Sequence, residues 1–329
     1  MVISKRDHDR IPDTGGHRLP GGRTVVVGQD DVHHDGRLEI LTGLPDQGSG
    51  SWTVMRRVLA ACASIDEARV DVTHLSTMDT PREPGVGGSR VTHLASRAAE
   101  DLGHQLRAWI DERLPRALPD APASAILRDD RYVDAETGVV LGAFDAIVGR
   151  LVGDEPVVLS TVFDASAGHA ADAAGDYGFA ACAVEVTVDR ETGAVTVDDA
   201  LLVVDVGTII NPVAHRGQLV GAFAFGFGAA LMEELVVEDG VVLTLSLADM
   251  KLPSAGDVPP LRIVEVPTAV GPGAFGAKAV GELTNAPVAP AIANAIADAV
   301  GIRLTELPIT AERVLAALAA QDATEGQIP

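Results

Sequence analysis

Apolar residues along the chain change period several times, from the two-residue alternation of strands to the i, i+3, i+4 spacing of helices. Strand-length apolar runs fall at 24–28, 37–42, 69–75 and 157–162, and again at 181–188 and 195–206. Asp35-Gly36 marks a hairpin turn between the first two, and the polar stretch 189–193 joins the last two. Helical spacing takes over at 54–63, through Ala98, Leu102, Leu106 and Ile110, and from Gly217 to Glu234. It returns through Ala291, Ile292, Ala295, Ile296, Ala299 and Val300, where Pro287 and Pro290 fit only before the helix or in its first turn. Proline-rich 115–124 reads as a connector, and 125–132 with 139–141 as a hairpin before a short helical run. Glu238-Asp239-Gly240 predicts one more hairpin turn, and Thr310 predicts the N-cap of a closing helix through Leu318.

This order predicts an α+β protein of two related strand–loop–helix lobes in series with a cleft between them, although no self-similarity in the sequence proves a repeat. We place a tail or entry segment at 1–22, the first lobe at 23–165, the second at 166–320 and a polar C-terminal tail at 321–329.

Composition narrows the partners. The chain has 329 residues, 47% of them hydrophobic, enough for two ordinary cores. A formal charge of −22 argues against a phosphate-binding surface for nucleic acid and against an anionic membrane. The longest apolar run, 219–232, is too short to span a bilayer, and 1–10 has no apolar core of a signal peptide, so a cytoplasmic location is expected. Cys62 and Cys182 sit in apolar runs and read as small hydrophobes, not a disulfide, and two cysteines are too few for an iron–sulfur cluster. His8, His17, His33 and His34 lack metal-ligand spacing, and His169 lacks an acid–base neighbour.

Three glycine loops carry the candidate chemistry. Gln47-Gly48-Ser49-Gly50 follows a strand and opens a helix, a ready anion-binding geometry. Gly87-Gly88-Ser89-Arg90 repeats the arrangement with a hydroxyl and a planar guanidinium suited to phosphate. A helix cap at Ser89 with a surface arginine explains that stretch equally well. Third, residues 271–282 put four glycines, a proline, Lys278 and Glu282 into twelve positions, in a segment too apolar to be mere surface. A glycine loop with a solvated glutamate is the bland alternative. Gly226-Phe227-Gly228 lies within a helical pattern, so it reads as close helix packing and not as a dinucleotide fingerprint.

The run Ala277 to Glu282, together with the segment 286–318, resembles the C-terminal part of the molybdenum-binding subunit of the xanthine dehydrogenase/aldehyde oxidase family. The segment Asp205 to Pro212, the 47–50 loop and the 87–92 loop are similar to further stretches of that family, so the resemblance covers roughly 23–320. It implies that Glu282 acts as the catalytic base. It also implies that Gln47, Gly48, Ser49, Gly50, Gly87, Gly88, Ser89, Arg90, Gln218, Lys278, Ala279, Val280 and Gly281 contact a molybdopterin cofactor. Two departures are visible: Ser49 stands where the family has a second glutamine, and Leu283 where it usually has proline.

The resemblance further implies a molybdenum hydroxylase acting on an N-heterocycle or aldehyde with oxygen from water. The metal would be held by the pterin dithiolene, so no protein metal ligand is expected, and the pterin is expected in its cytosine dinucleotide form. The family's subunit is more than twice this long, so the chain is expected to be a split-gene subunit or a fragment. Its expected partners are a larger molybdenum subunit carrying the first cofactor-binding domain, a 2Fe-2S subunit, an FAD subunit and a small-molecule substrate. Two other readings stay open: a non-catalytic scaffold or degenerate paralogue completing a partner's fold, and an independent soluble domain.

Overall fold

The computed structural model describes residues 25–73, 86–89, 91–152, 157–164 and 177–325. The expected tail at 1–22, His8, His17, Arg90 and His169 lie outside the described residues.

β1 (Val25–Val32) and β2 (Leu38–Leu41) form the expected hairpin, with Val32 opposite Leu38. The chain then leaves the sheet as α1 (Ser51–Ala63) and returns as β3 (Val70–Thr73), parallel to β2. α2 (Val91–Ala117) comes next and packs on α1. It is longer than the spacing predicts and runs through Pro115, because a proline in the last turn forfeits little hydrogen bonding while Leu114 and Ala117 stay buried.

β4 (Ala125–Arg128), β5 (Arg131–Asp134) and β6 (Val140–Ala143) make a separate three-stranded meander. The single hairpin expected there is cut in two by Asp129 and Asp130, both at positive φ. α3 (Phe144–Leu151) packs on α2, and β7 (Val157–Asp164) completes the first sheet in the order β3-β2-β1-β7.

The second lobe begins with β8 (Phe179–Val188) and β9 (Val195–Asp205), antiparallel as expected. α4 (Pro212–Leu231) starts five residues earlier than its apolar pattern, since Asn211 caps it through Ala214 N and Pro212 occupies its first turn. A small hairpin, β10 (Val237–Glu238) and β11 (Val241–Val242), and the short α5 (Leu247–Met250) precede β12 (Leu261–Glu265). β12 lies parallel to β9, giving the order β12-β9-β8. α6 (Val288–Val300) matches its predicted apolar face, with Pro287 at its N-cap. α7 (Ala311–Glu325) begins after Thr310 and continues through 321–325, where a polar tail is expected.

The two lobes share one topology. Each is a hairpin, a crossover helix, a third strand parallel to the second, and a further helix: β1-β2-α1-β3-α2 and β8-β9-α4-β12-α6. Loop 42–50 therefore has its counterpart in 206–211, and the stretch before α2 has its counterpart in the stretch before α6.

Each lobe has its own core. Leu38, Ile40, Met55, Leu59, Leu102, Leu106 and Ile110 are buried between the first sheet and α1 and α2. Leu202, Phe223, Ile292, Ile296 and Val314 fill the second, each contributing about 1.5–3 kcal/mol of apolar burial. Gly226 does let helices approach: a Cβ there would stand 2.8 Å from both Asn285 O and Val288 Cβ. The lobes are joined by Ala274, which sits in the first core and donates its N–H to the buried Ser96 Oγ at 3.0 Å. Among the described residues no helix is long and apolar enough to cross a membrane.

Candidate functional site

Loop 46–50 is built around a residue the sequence pattern does not single out. Asp46 accepts from Gly50 N at 3.3 Å, Ser51 Oγ at 3.1 Å and Trp52 N at 3.1 Å, so its carboxylate caps α1 from five residues upstream. The cap holds Gln47, Gly48 and Gly50 at φ of 53, 77 and 74°. For Gln47 that left-handed backbone costs about 1–2 kcal/mol, and the rest of the loop must offset it. Ser49 donates its hydroxyl to Asp46 O at 2.6 Å, so the side chain that replaces a longer amide is turned onto its own loop.

Gly88 and Ser89 repeat the pattern, at φ of 73 and 56° before α2. Ser89 Oγ donates to Glu282 Oε2 at 2.8 Å. Thus the counterpart stretches of the two lobes meet face to face. The other counterpart pair meets as well: Asn211 Nδ2 lies 3.5 Å from Gly50 O, and Arg57 Nη1 donates to Ile210 O at 3.1 Å.

The 271–282 loop packs on the segment after β9 and on its own glycine turn. Thr208 Oγ1 donates to Phe275 O at 2.6 Å, Lys278 N to Val206 O at 3.0 Å, and Gly207 bridges Ala277. Its early glycines are needed for this self-packing, since a Cβ on Gly271 or Gly276 would fall 2.5 or 2.2 Å from a backbone oxygen. Gly281 instead stands against the other lobe, where a Cβ would lie 3.1 Å from Ser89 Oγ.

Lys278 is buried, and its Nζ donates to Asp205 Oδ2 at 3.0 Å. Asp205 also accepts from Thr268 Oγ1 at 2.6 Å and Gly207 N at 3.2 Å. The Thr268 hydroxyl first, then the Lys278 ammonium and the Gly207 amide, hold its carboxyl below the usual carboxylate range. The ammonium is thus an anchor for the loop.

A cleft of about 350 Å³ lies between the lobes. Its wall contains Gln47, Ser49, Gly87, Gly88, Ser89, Gln218, Lys278, Val280, Gly281 and Glu282 of the residues expected from sequence. Gly48, Gly50 and Ala279 lie outside the wall. Gly50 instead packs against α4, where a Cβ would stand 2.6 Å from Ala214 Cβ and Asn211 Nδ2. Among the described residues nothing lies within 4 Å of where a Cβ would stand at Gly48, Gly87 or Gly88.

Three helices begin at this cleft. Val54 of α1, Val91 and Thr92 of α2, and Asn211, Ala214 and His215 of α4 all line it. Each helix start carries roughly half a positive charge, offset at α1 by the Asp46 carboxylate, so the cleft favours an anion at the starts of α2 and α4. Among the described residues Glu282 is the one carboxylate in the wall. It is exposed, against the expectation from its apolar neighbourhood. His215, for which the sequence gives no cue, is buried with Nε2 3.2 Å from Glu265 Oε1. Burial lowers its pKa, and Glu265 opposes that.

The profile of the molybdopterin cofactor-binding domain matches residues 27–259. The chain is 31% identical over 303 residues to the 6-hydroxypseudooxynicotine dehydrogenase complex subunit gamma of Paenarthrobacter nicotinovorans, covering 88% of this chain and 37% of that one. It is 30% identical over 290 residues to the aldehyde oxidoreductase molybdenum-binding subunit PaoC of Escherichia coli (strain K12), covering 86% and 37%. The fold matches that of quinoline 2-oxidoreductase from Pseudomonas putida 86 with a TM-score of 0.76 at 24% identity, over 90% of this chain and 38% of that one. The chain thus spans a little over a third of the length of these relatives.

Proposed function

The chain belongs to the molybdopterin cofactor-binding family of xanthine dehydrogenase and aldehyde oxidoreductase molybdenum subunits, and from that premise we propose that it supplies half of the cofactor cleft and the general base of a molybdenum hydroxylase. The observation that supports this most is the convergence of four distant stretches, 47–49, 86–92, 206–218 and 278–282, on one cleft headed by three helix N-termini. Open Cβ directions among the described residues at Gly87 and Gly88, both in the wall, leave room for a bulky anionic ligand beside the main chain. The residues present therefore fit a pterin with a phosphate.

In this reading the N–H groups of 87–89 take the phosphate end, with Arg90, the next residue in sequence, expected to contribute, while the 47–50 loop is held by Asp46. The amides of Gln47 and Gln218 offer the paired donors and acceptors a pterin ring requires. Val280 and Gly281, with Lys278 and Ala279 behind them, shape the wall next to Glu282. Bound molybdopterin supplies the metal centre that takes two electrons from the substrate. Glu282 would accept the proton from the attacking water-derived oxygen, and Ser89, donating to Oε2, holds the carboxylate and leaves Oε1 to take it.

The substrate class is an N-heterocycle or aldehyde, and the pterin carries a cytosine dinucleotide. The partners are a larger chain with the first cofactor-binding domain, a 2Fe-2S subunit and an FAD subunit, assembled in the cytoplasm. Apolar side chains left in solvent along α4 support an assembly surface, notably Val213 at 85% and Phe225 at 69% exposure. A non-catalytic scaffold role draws its support from Ser49, whose hydroxyl is spent on Asp46.

Gly88→Val tests the reading. A Cβ there meets no described atom within 4 Å, and the positive φ of 73° costs a side chain about 1–2 kcal/mol. The folded complex should survive with reduced molybdenum and reduced release of cytidine nucleotide on acid hydrolysis. Full occupancy with normal turnover would remove this loop from the site.

A further inference from the structure

Away from the cleft, three side chains with metal-ligating atoms converge where α1 crosses α2. Cys62 Sγ, a carboxylate oxygen of Glu100 and an imidazole nitrogen of His104 all lie within 4.8 Å of one another. Cys62 is in the last turn of α1, about 16 Å along the axis from the end that borders the cleft. Glu100 and His104 stand four residues apart on α2 and so share one face. Gly103 sets the helix spacing, since a Cβ there would stand 2.7 Å from Cys62 Cβ and 2.8 Å from Leu59 O. Arg97 pairs with Glu100, which accounts for one carboxylate oxygen. It does not account for a thiol and an imidazole brought to the same point.

We infer that Cys62, Glu100 and His104 form a binding site for a borderline divalent cation, zinc in the first instance. A sulfur, a nitrogen and an oxygen donor suit zinc, whereas magnesium and calcium take oxygen ligands. Bonds of about 2.0–2.3 Å in a tetrahedral site place ligand atoms roughly 3.5 Å apart. His104 is exposed and Glu100 half-buried, so changes of side-chain rotamer close the remaining distance. Water completes the fourth position, reached from the exposed His104 side. Burial and the nearby Glu100 push the Cys62 thiol up to about 11. The empty site therefore carries a protonated thiol, and each ion bound displaces one proton to solvent. The ion ties the end of α1 to the middle of α2, away from the cofactor cleft.

Cobalt(II) is the probe, titrated into the reduced, chelator-treated full chain and followed by visible and near-ultraviolet absorption. One ion per chain should saturate, with tetrahedral ligand-field bands and a thiolate-to-cobalt charge-transfer band, and zinc should bleach both. Cys62→Ser should abolish the charge-transfer band. His104→Ala, at an exposed position, should weaken binding by at least about tenfold with unchanged circular dichroism. Cys182→Ser should change neither. Saturation without a thiolate band, an unaltered band in Cys62→Ser, or undiminished affinity in a folded His104→Ala protein would overturn the site.

Discussion

Removing the carboxylate of Asp205 is expected to destabilise the chain by about 3–5 kcal/mol, the usual cost of leaving a buried charge without its partner. The charge in question is Lys278, whose side chain is 4% exposed and whose Nζ lies 3.0 Å from Asp205 Oδ2. In Asp205→Ala the Thr268 hydroxyl and the Gly207 amide lose their acceptor too. Lys278→Met is milder, at about 1–2 kcal/mol, because Asp205 keeps those two neutral donors. The double variant Asp205→Leu/Lys278→Met should recover much of the loss, since an apolar pair of similar volume replaces an ion pair at little net cost. Urea unfolding of the wild type and the three variants measures each difference. The pair also has a pH signature. Asp205 titrates below its ordinary 3.8 in the folded chain, so its contribution is present in full above that value. It is lost as pH falls through the lowered folded value, and Asp205→Asn should flatten that acid limb. An Asp205→Ala protein within 1 kcal/mol of wild type, or an unchanged acid limb in Asp205→Asn, would refute the claim that this pair anchors the loop leading to Glu282.

Two glycines of α4 should respond in opposite directions. Gly226→Val drives a side chain into Asn285 and Val288 and should cost about 1–3 kcal/mol, whereas Gly221→Ala faces open space and should gain about 0.5–1 kcal/mol in thermal unfolding. Co-expression with a larger chain carrying the first cofactor-binding domain should raise soluble yield and molybdenum content. A monodisperse, molybdenum-loaded product from this chain alone would contradict the proposed assembly surface.

The helices were legible because their apolar spacing survives in the structure: Val288, Ile292 and Ile296 of α6 are all buried. The glycine loops were legible as loops, but what each glycine is for was not. Gly271 and Gly276 stand against backbone oxygens of their own segment and Gly50 against α4, and these are tertiary facts with no local signal. β12 escaped notice because it is short and half-exposed between prolines, and it is held by pairing with β9, 56 or more residues earlier in the chain. Asp46 carried a visible cue, an acidic residue just ahead of a helix start, but at five residues from Ser51 it lies beyond the usual cap spacing. The shared lobe topology is written in strand pairing, not in residue identity. Glu282 looked sheltered because its sequence neighbours are apolar, yet those neighbours turn inward while its own exposed side chain accepts from Ser89 at the edge of the cleft.

The role of Glu282 is the point on which the catalytic and scaffold readings separate. Glutamine preserves size and can still accept from Ser89, but it cannot take up a proton. In the assembled complex, Glu282→Gln should retain molybdenum while anaerobic bleaching of the partners' iron–sulfur absorbance by substrate slows by at least about 10²-fold, the lower bound for loss of a positioned base. Bleaching at the wild-type rate in a fully loaded Glu282→Gln complex would contradict the assignment and leave the scaffold role as the better account.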